Sequence, residues 1–131
     1  MPEKTALQTA QQFQIDASKT GFEWDHIDQL FEKLEEEIEE LRQGIKNNDI
    51  PNIEEELGDM LFVVTNLAKN LDCDAETVLR NANTKFERRY NGMFDLFRTT
   101  YPNKDSSELT LEQWDELWEQ QKKKERQQKE R

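Results

Sequence analysis

Two neighbouring stretches decide how this chain folds: KLEEEIEELRQGI (residues 33–45) and IEEELGDMLFVV (residues 53–64). Each carries an acidic pair three residues apart, Glu37 and Glu40 in the first, Glu56 and Asp59 in the second. Between them, Asn47-Asn48-Asp49-Ile50-Pro51 has the composition of a tight turn followed by a helix start. The spacing predicts an antiparallel helical hairpin that brings four carboxylates together.

The periodicity on either side supports that reading. Ile27, Leu30, Phe31, Leu34, Ile38, Leu41 and Ile45 follow helical spacing. Asp25 is the expected N-cap. The next helix is expected from about Pro51 to Leu71, with Ile53, Leu57, Met60, Leu61, Val64, Leu67 and Leu71 as its main stripe. Phe62 and Val63 lie outside that stripe, so this helix is apolar around most of its circumference and reads as central and buried. Gly58 costs about 1 kcal/mol in helix propensity, which suggests the close approach of another backbone or a ligand.

Further out the pattern stays helical. Thr5 to Ser18 reads as a first helix of weak amphipathicity, closed by Gly21 as the C′ residue. The aromatic connector Phe22-Glu23-Trp24 either caps the core or offers a ring to a base. A fourth helix is expected from Ala75 to about Thr99. Thr110 and Gln113 form a capping box opening a last helix that carries Leu111, Trp114, Leu117 and Trp118. The fold class is therefore all-α, an antiparallel bundle of about four to five helices in one domain, residues 1–131. Residues 122–131, within QKKKERQQKER, read as a frayed or disordered basic tail.

Composition narrows the function. Asp and Glu number 29 against 18 Lys and Arg, a net charge of -11, which argues against nucleic-acid or anionic-membrane binding. A phosphate ligand remains possible where metal inverts the local charge. The lone Cys73 permits no intramolecular disulfide, and His26 stands alone. No apolar run reaches the ~20 residues of a membrane span, and the N-terminus has no signal-peptide pattern. The expected location is cytoplasmic. With 34% hydrophobic and 36% charged residues the core is lean, which favours a homodimer or higher homo-oligomer.

The carboxylates can be placed from helix geometry. At about 100° per residue, Glu37 lies roughly 70° from the centre of its apolar stripe and Glu40 about 60° further round. Lys33 shares that flank, while Glu36 points more to solvent. On the next helix Asp59 stacks on Val63 at i, i+4, so Asp59 is expected inward or at an interface. A bare buried carboxylate costs several kcal/mol unless paired or metal-bound. Folding the chain about Asn48 sets Glu40 level with Glu56 and Glu37 level with Asp59. The alternative, a solvated acidic face, does not account for the apolar neighbours of Asp59. A hard divalent cation with oxygen ligands does.

Those residues resemble a known family. Glu36-Glu37-x-x-Glu40, fifteen residues, then Glu56-x-x-Asp59 followed by Met-Leu-Phe is similar to the motif of the MazG family of all-α nucleoside triphosphate pyrophosphohydrolases. GFEW (21–24), NANTKFERRY (81–90) and LTLEQWDELWEQQK (109–122) resemble its flanking segments, so the likeness spans nearly the whole chain. It implies Mg²⁺-dependent hydrolysis of a nucleoside triphosphate to the monophosphate and pyrophosphate, with Mn²⁺ as a substitute metal. Carried over by motif, Glu37, Glu40, Glu56 and Asp59 are metal ligands, and Glu36 or Glu40 orients or deprotonates the attacking water. Lys85 and Arg89 contact phosphates, Lys33 is a further phosphate candidate, and Trp118 lies near the nucleotide. Trp114 is assigned to core packing. Many relatives carry two such domains in tandem; this chain has one, and it resembles the catalytically competent second one. The alternatives are a narrow-substrate relative acting on dUTP, dCTP or phosphoribosyl-ATP, or a non-catalytic acidic helical interaction module.

Overall fold

In the computed structural model, which describes residues 3–129, five α-helices follow one another with no strand among the described residues. They are α1 (Ala6–Lys19), α2 (Ile27–Lys46), α3 (Ile50–Asn70), α4 (Ala75–Thr100) and α5 (Leu111–Lys129), with a short 3₁₀ turn at Ser106–Glu108. The chain divides into two compact units, one up to Leu79 and one from Arg80 onward.

The first unit is built on the α2–α3 hairpin. Asn48 turns the chain with φ at 52°, a left-handed conformation that asparagine tolerates. The Asp49 side chain then accepts from the Asn52 N–H, capping α3, and Pro51 occupies its first turn. α2 starts at Ile27, two residues after the expected cap. There the Gln29 side-chain oxygen accepts from the backbone N–H of both Asp25 and His26.

The two helices meet along heptad-like rows. Leu30, Glu37 and Gly44 are the buried positions of α2; Glu56, Val63 and Leu67 are buried on α3. Leu30, Val63 and Leu67 form the core, with Ile27 and Leu34 packed against it. Gly44 allows the close approach, since a Cβ there would meet Asn52 Nδ2 at 2.9 Å and Ile53 at 3.4 Å. Gly58 was the expected contact glycine, but a Cβ there meets nothing within 4 Å.

The buried arc of α3 also differs from expectation. Leu57, Leu61, Val64 and Leu71 of the expected stripe are exposed, while Val63 faces inward. An all-round apolar helix does not mark which arc its partner covers. α2 settles the matter by pressing on the side that carries Glu56 and Val63.

α1 explains its weak pattern by burying glutamines. Gln11 donates to the Cys73 carbonyl and accepts from the Ala75 N–H, so it caps the start of α4. Gln14 donates to the Phe62 carbonyl. Gly21, at φ 96°, ends the helix as expected.

In the second unit Met93 and Phe97 of α4 enclose Leu117 of α5. Trp114 packs on Phe97 and Phe94, with ring centroids 5.3 and 6.0 Å apart, in keeping with a core role. Thr110 and Gln113 form the expected reciprocal cap. α5 continues to Lys129, so residues 122–129, read from sequence as a frayed tail, are helical. Residues 130 and 131 lie outside the described part. The helix persists because Gln121 is buried and Glu125 takes ion pairs from α4.

Candidate functional site

α2 and α3 bring carboxylates together halfway along the hairpin. Glu37, Glu56 and Asp59 each offer a carboxylate oxygen, and the three atoms lie within 4.8 Å of one another. Glu37 and Glu56 are buried and Asp59 is exposed. Asp59, expected inward or at an interface, is not inward; the buried position falls to Glu56, which lies in line with Val63 and Leu67 on the arc facing α2. Asp59 stands at the open edge. Glu40 is also exposed and stands outside the group of three, yet it is near enough to act on Glu56.

Electrostatics make the pair unusual. The contact with Glu37, then burial, then Glu40 push the Glu56 carboxyl up to about 8. Glu37 is held below the ordinary carboxylate range, because the hydrogen bond from Glu56 and the Lys33 ammonium outweigh its burial. Glu56 is thus the member that keeps a proton, and it shares it with Glu37. Glu37 Oε2 and Glu56 Oε2 are otherwise buried without a hydrogen-bond partner. Such orphaned acceptors are costly, and a cation or a proton satisfies them.

Lys33 supplies the local positive charge. Its Nζ is 3.1 Å from Glu37 and 3.6 Å from Glu36, and Glu37 raises its pKa. Glu36 itself is exposed. These positions follow from i, i+3 and i, i+4 spacing along α2.

A cavity of about 630 Å³ opens beside the carboxylates, with Lys33, Glu37 and Asp59 in its wall. Phe13, Phe22, Trp24 and Phe62 are its aromatic lining, with the exposed Phe22 and Trp24 coming from the aromatic connector. Gln14 also lines it, and its Oε1 is buried without a partner. Sequence reasoning singled out Trp24 and passed over Gln14 and Phe13. The signal available was the i, i+3 recurrence of Gln8, Gln11 and Gln14 in a helix lacking an apolar stripe.

The remaining expected phosphate contacts belong to the second unit. Lys85 is exposed on α4. Arg89, one turn on, gives its Nε to Glu125 Oε2 at 2.6 Å. Trp118 is half-buried, with its ring 5.7 Å from that of Phe86. Glu125 was missed because it sits in a run of charge that reads as solvated.

A family model described as MazG nucleotide pyrophosphohydrolase domain matches residues 26–94. That span takes in the hairpin, all three converging carboxylates, Lys85 and Arg89. The chain belongs to the MazG family. It is 39% identical over 117 residues to the nucleoside triphosphate pyrophosphohydrolase/pyrophosphatase MazG of Thermotoga maritima, covering 87% of this chain and 43% of that protein. It is 35% identical over 124 residues to the nucleoside triphosphate pyrophosphohydrolase of Escherichia coli K12, covering 92% and 46%. The chain thus spans less than half the length of these relatives. The all-helical MazG fold agrees with the expected fold class. Among the described residues, no helix is long and apolar enough to cross a membrane.

Proposed function

We propose that this MazG chain hydrolyses nucleoside triphosphates to the monophosphate and pyrophosphate with Mg²⁺, in the cytoplasm. The observation that carries the reading is the convergence of Glu37, Glu56 and Asp59, two of them buried with orphaned oxygens, beside an aromatic cavity. The names of the relatives support the reaction class.

The donor set suits a hard divalent cation. Glu37, Glu56 and Asp59 would hold it, and Glu40, exposed alongside, would complete the set. All-oxygen donors with an open side suit Mg²⁺, which keeps positions for substrate phosphates, and Mn²⁺ would substitute. Such a cation neutralises charge on phosphate oxygens and acidifies bound water.

The chain's own residues supply the rest. The aromatic walls at Phe22, Trp24 and Phe62 would seat the nucleoside and exclude water. Lys33, held over Glu37, would lie against the phosphates. Glu36 is exposed and kept near Glu37 by Lys33. It would take the proton of the water whose oxygen attacks the α-phosphorus, while the bond to the bridging oxygen breaks and pyrophosphate leaves. Lys85 and Arg89 would stabilise phosphate charge, with Trp118 beside the nucleotide.

We also infer a homodimer or larger homo-oligomer. Leu57, Leu61 and Val64 form an exposed apolar row on α3, which a second copy would cover.

The test is a panel of NTPs and dNTPs assayed for Mg²⁺-dependent pyrophosphate release. Release from several substrates supports the reading, and turnover of dUTP, dCTP or phosphoribosyl-ATP alone would narrow it. No release from any, with no Mg²⁺-dependent rise in melting temperature, would make the chain a non-catalytic helical module.

A further inference from the structure

Three features of the second unit converge on one guanidinium. Glu125 takes Arg88 Nε on Oε1 at 3.0 Å and Arg89 Nε on Oε2 at 2.6 Å, so each carboxylate oxygen serves one arginine. Gln121, one turn earlier on α5, is buried. Although burial pushes the Glu125 carboxyl up, Arg88, Arg89 and the Gln121 side chain hold it below the ordinary range. Gly92 on α4 leaves the space that Gln121 occupies, since a Cβ there would overlap its carboxamide.

The geometry of the ion pair is informative. A contact built only to staple α4 to α5 would favour the two-pronged fork, in which two parallel N–H groups meet one carboxylate. Here Arg89 is held by Nε alone. Its two terminal nitrogens have no protein acceptor among the described residues. They carry four N–H donors, matched to the oxygens of a phosphate. Arg88 is more exposed than Arg89.

We propose that Glu125, backed by Gln121 and the clearance at Gly92, is a positioning residue that holds Arg89 by its Nε and leaves the terminal nitrogens to a substrate phosphate. The proposal rests on the reading of Arg89 as a phosphate ligand. It assigns a role to a part of α5 that the reaction itself does not call on.

The test is a double-mutant cycle on the whole chain with Mg²⁺. It reads kcat and KM for nucleoside triphosphate hydrolysis, and binding of an α,β-methylene triphosphate analogue. Glu125→Gln keeps the shape but loses the charge that orders two arginines. It is expected to lower kcat/KM and analogue affinity about tenfold at a temperature well below melting, where helical content is retained. In an Arg89→Ala background the same change is expected to have no further effect. Equal losses in both backgrounds, or wild-type values in Glu125→Gln, overturn the positioning role while leaving Arg89 as a ligand. Wild-type values in Arg89→Ala alone, or a wild-type chain that neither hydrolyses nor binds the analogue, overturn both readings. Should Glu125→Gln fail to fold, Gln121→Leu removes the backing carboxamide and is expected to act in the same direction with a smaller loss. No loss there overturns the proposal.

Discussion

Glu37 on α2 and Glu56 on α3 face each other across the hairpin, and apart from the proton they share each has one buried, unpartnered oxygen. Neither helix alone creates this arrangement. It arises because Gly44 lets the helices close and because the arc of α3 that meets α2 carries Glu56 in line with Val63 and Leu67.

The pair makes stability depend on pH in a defined direction. Glu56 is raised from 4.5 to about 8 in the folded chain. A carboxyl raised on folding contributes stability that is complete below its unfolded value and is lost as pH rises through the folded value. The metal-free melting temperature is therefore expected to fall between about pH 5 and pH 8. Mg²⁺ must displace the shared proton, so its apparent affinity should rise up to about tenfold per pH unit below 8. Melting curves in EDTA and in Mg²⁺ across this range check both slopes. A flat metal-free profile would remove the shared proton.

Glu56→Gln separates fold from function at the same place. A glutamine there can donate an N–H to Glu37 without bringing a second charge. Above pH 8 the metal-free variant should melt higher than the wild type and gain nothing from Mg²⁺. Pyrophosphate release should be lost. A variant that melts lower above pH 8 would mean that the packing of Glu56, rather than its charge, dominates.

Asp59→Asn is expected to behave differently because Asp59 is exposed. Its removal should leave stability within about 0.5 kcal/mol while nearly abolishing hydrolysis. Wild-type turnover in this variant would remove Asp59 from the site.

Much of this was legible in the sequence, and the failures have physical causes. α2 declares its buried side because its apolar residues recur on one stripe. α3 does not, because Phe62 and Val63 add a second arc, and periodicity cannot say which arc a partner covers. The level pairing of Glu37 with Asp59 assumed equal rise from Asn48 and said nothing about helix rotation. It therefore brought Glu37, Glu56 and Asp59 together, as the structure does, but it included Glu40, which stands outside the group, and it looked to Asp59 rather than Glu56 for the inward position. The inward glutamines of α1 and Glu125 on α5 escaped for one reason. A polar residue is read as exposed unless its hydrogen-bond partner is known, and those partners lie 36 to 64 residues away.

The two glycines of the hairpin offer a paired stability test. Gly44→Ala places a methyl against Asn52 and Ile53. It should destabilise the chain by about 1–3 kcal/mol despite the better helix propensity. Gly58→Ala enters open space and should stabilise by up to about 1 kcal/mol. Urea melts of both variants would show opposite signs. Destabilisation by Gly58→Ala would mean that a second copy closes on α3 at that point.

The apolar row on α3 tests the assembly directly. Leu57, Leu61 and Val64 are 46%, 64% and 50% exposed, at i, i+4 and i+7 on one side of the helix. Leu61 is the most exposed of the three and lies one turn beyond Leu57, so a charge there disturbs the row with little effect within the chain. Leu61→Glu is expected to reduce a dimer of roughly twice 15.7 kDa to the single-chain mass in light scattering, with helical content retained. Burying that carboxylate between two copies would cost several kcal/mol per chain, enough to dissociate a dimer held by this face. An unchanged mass for the variant would move the interface elsewhere, and a wild-type chain already at 15.7 kDa would remove the oligomer from the reading.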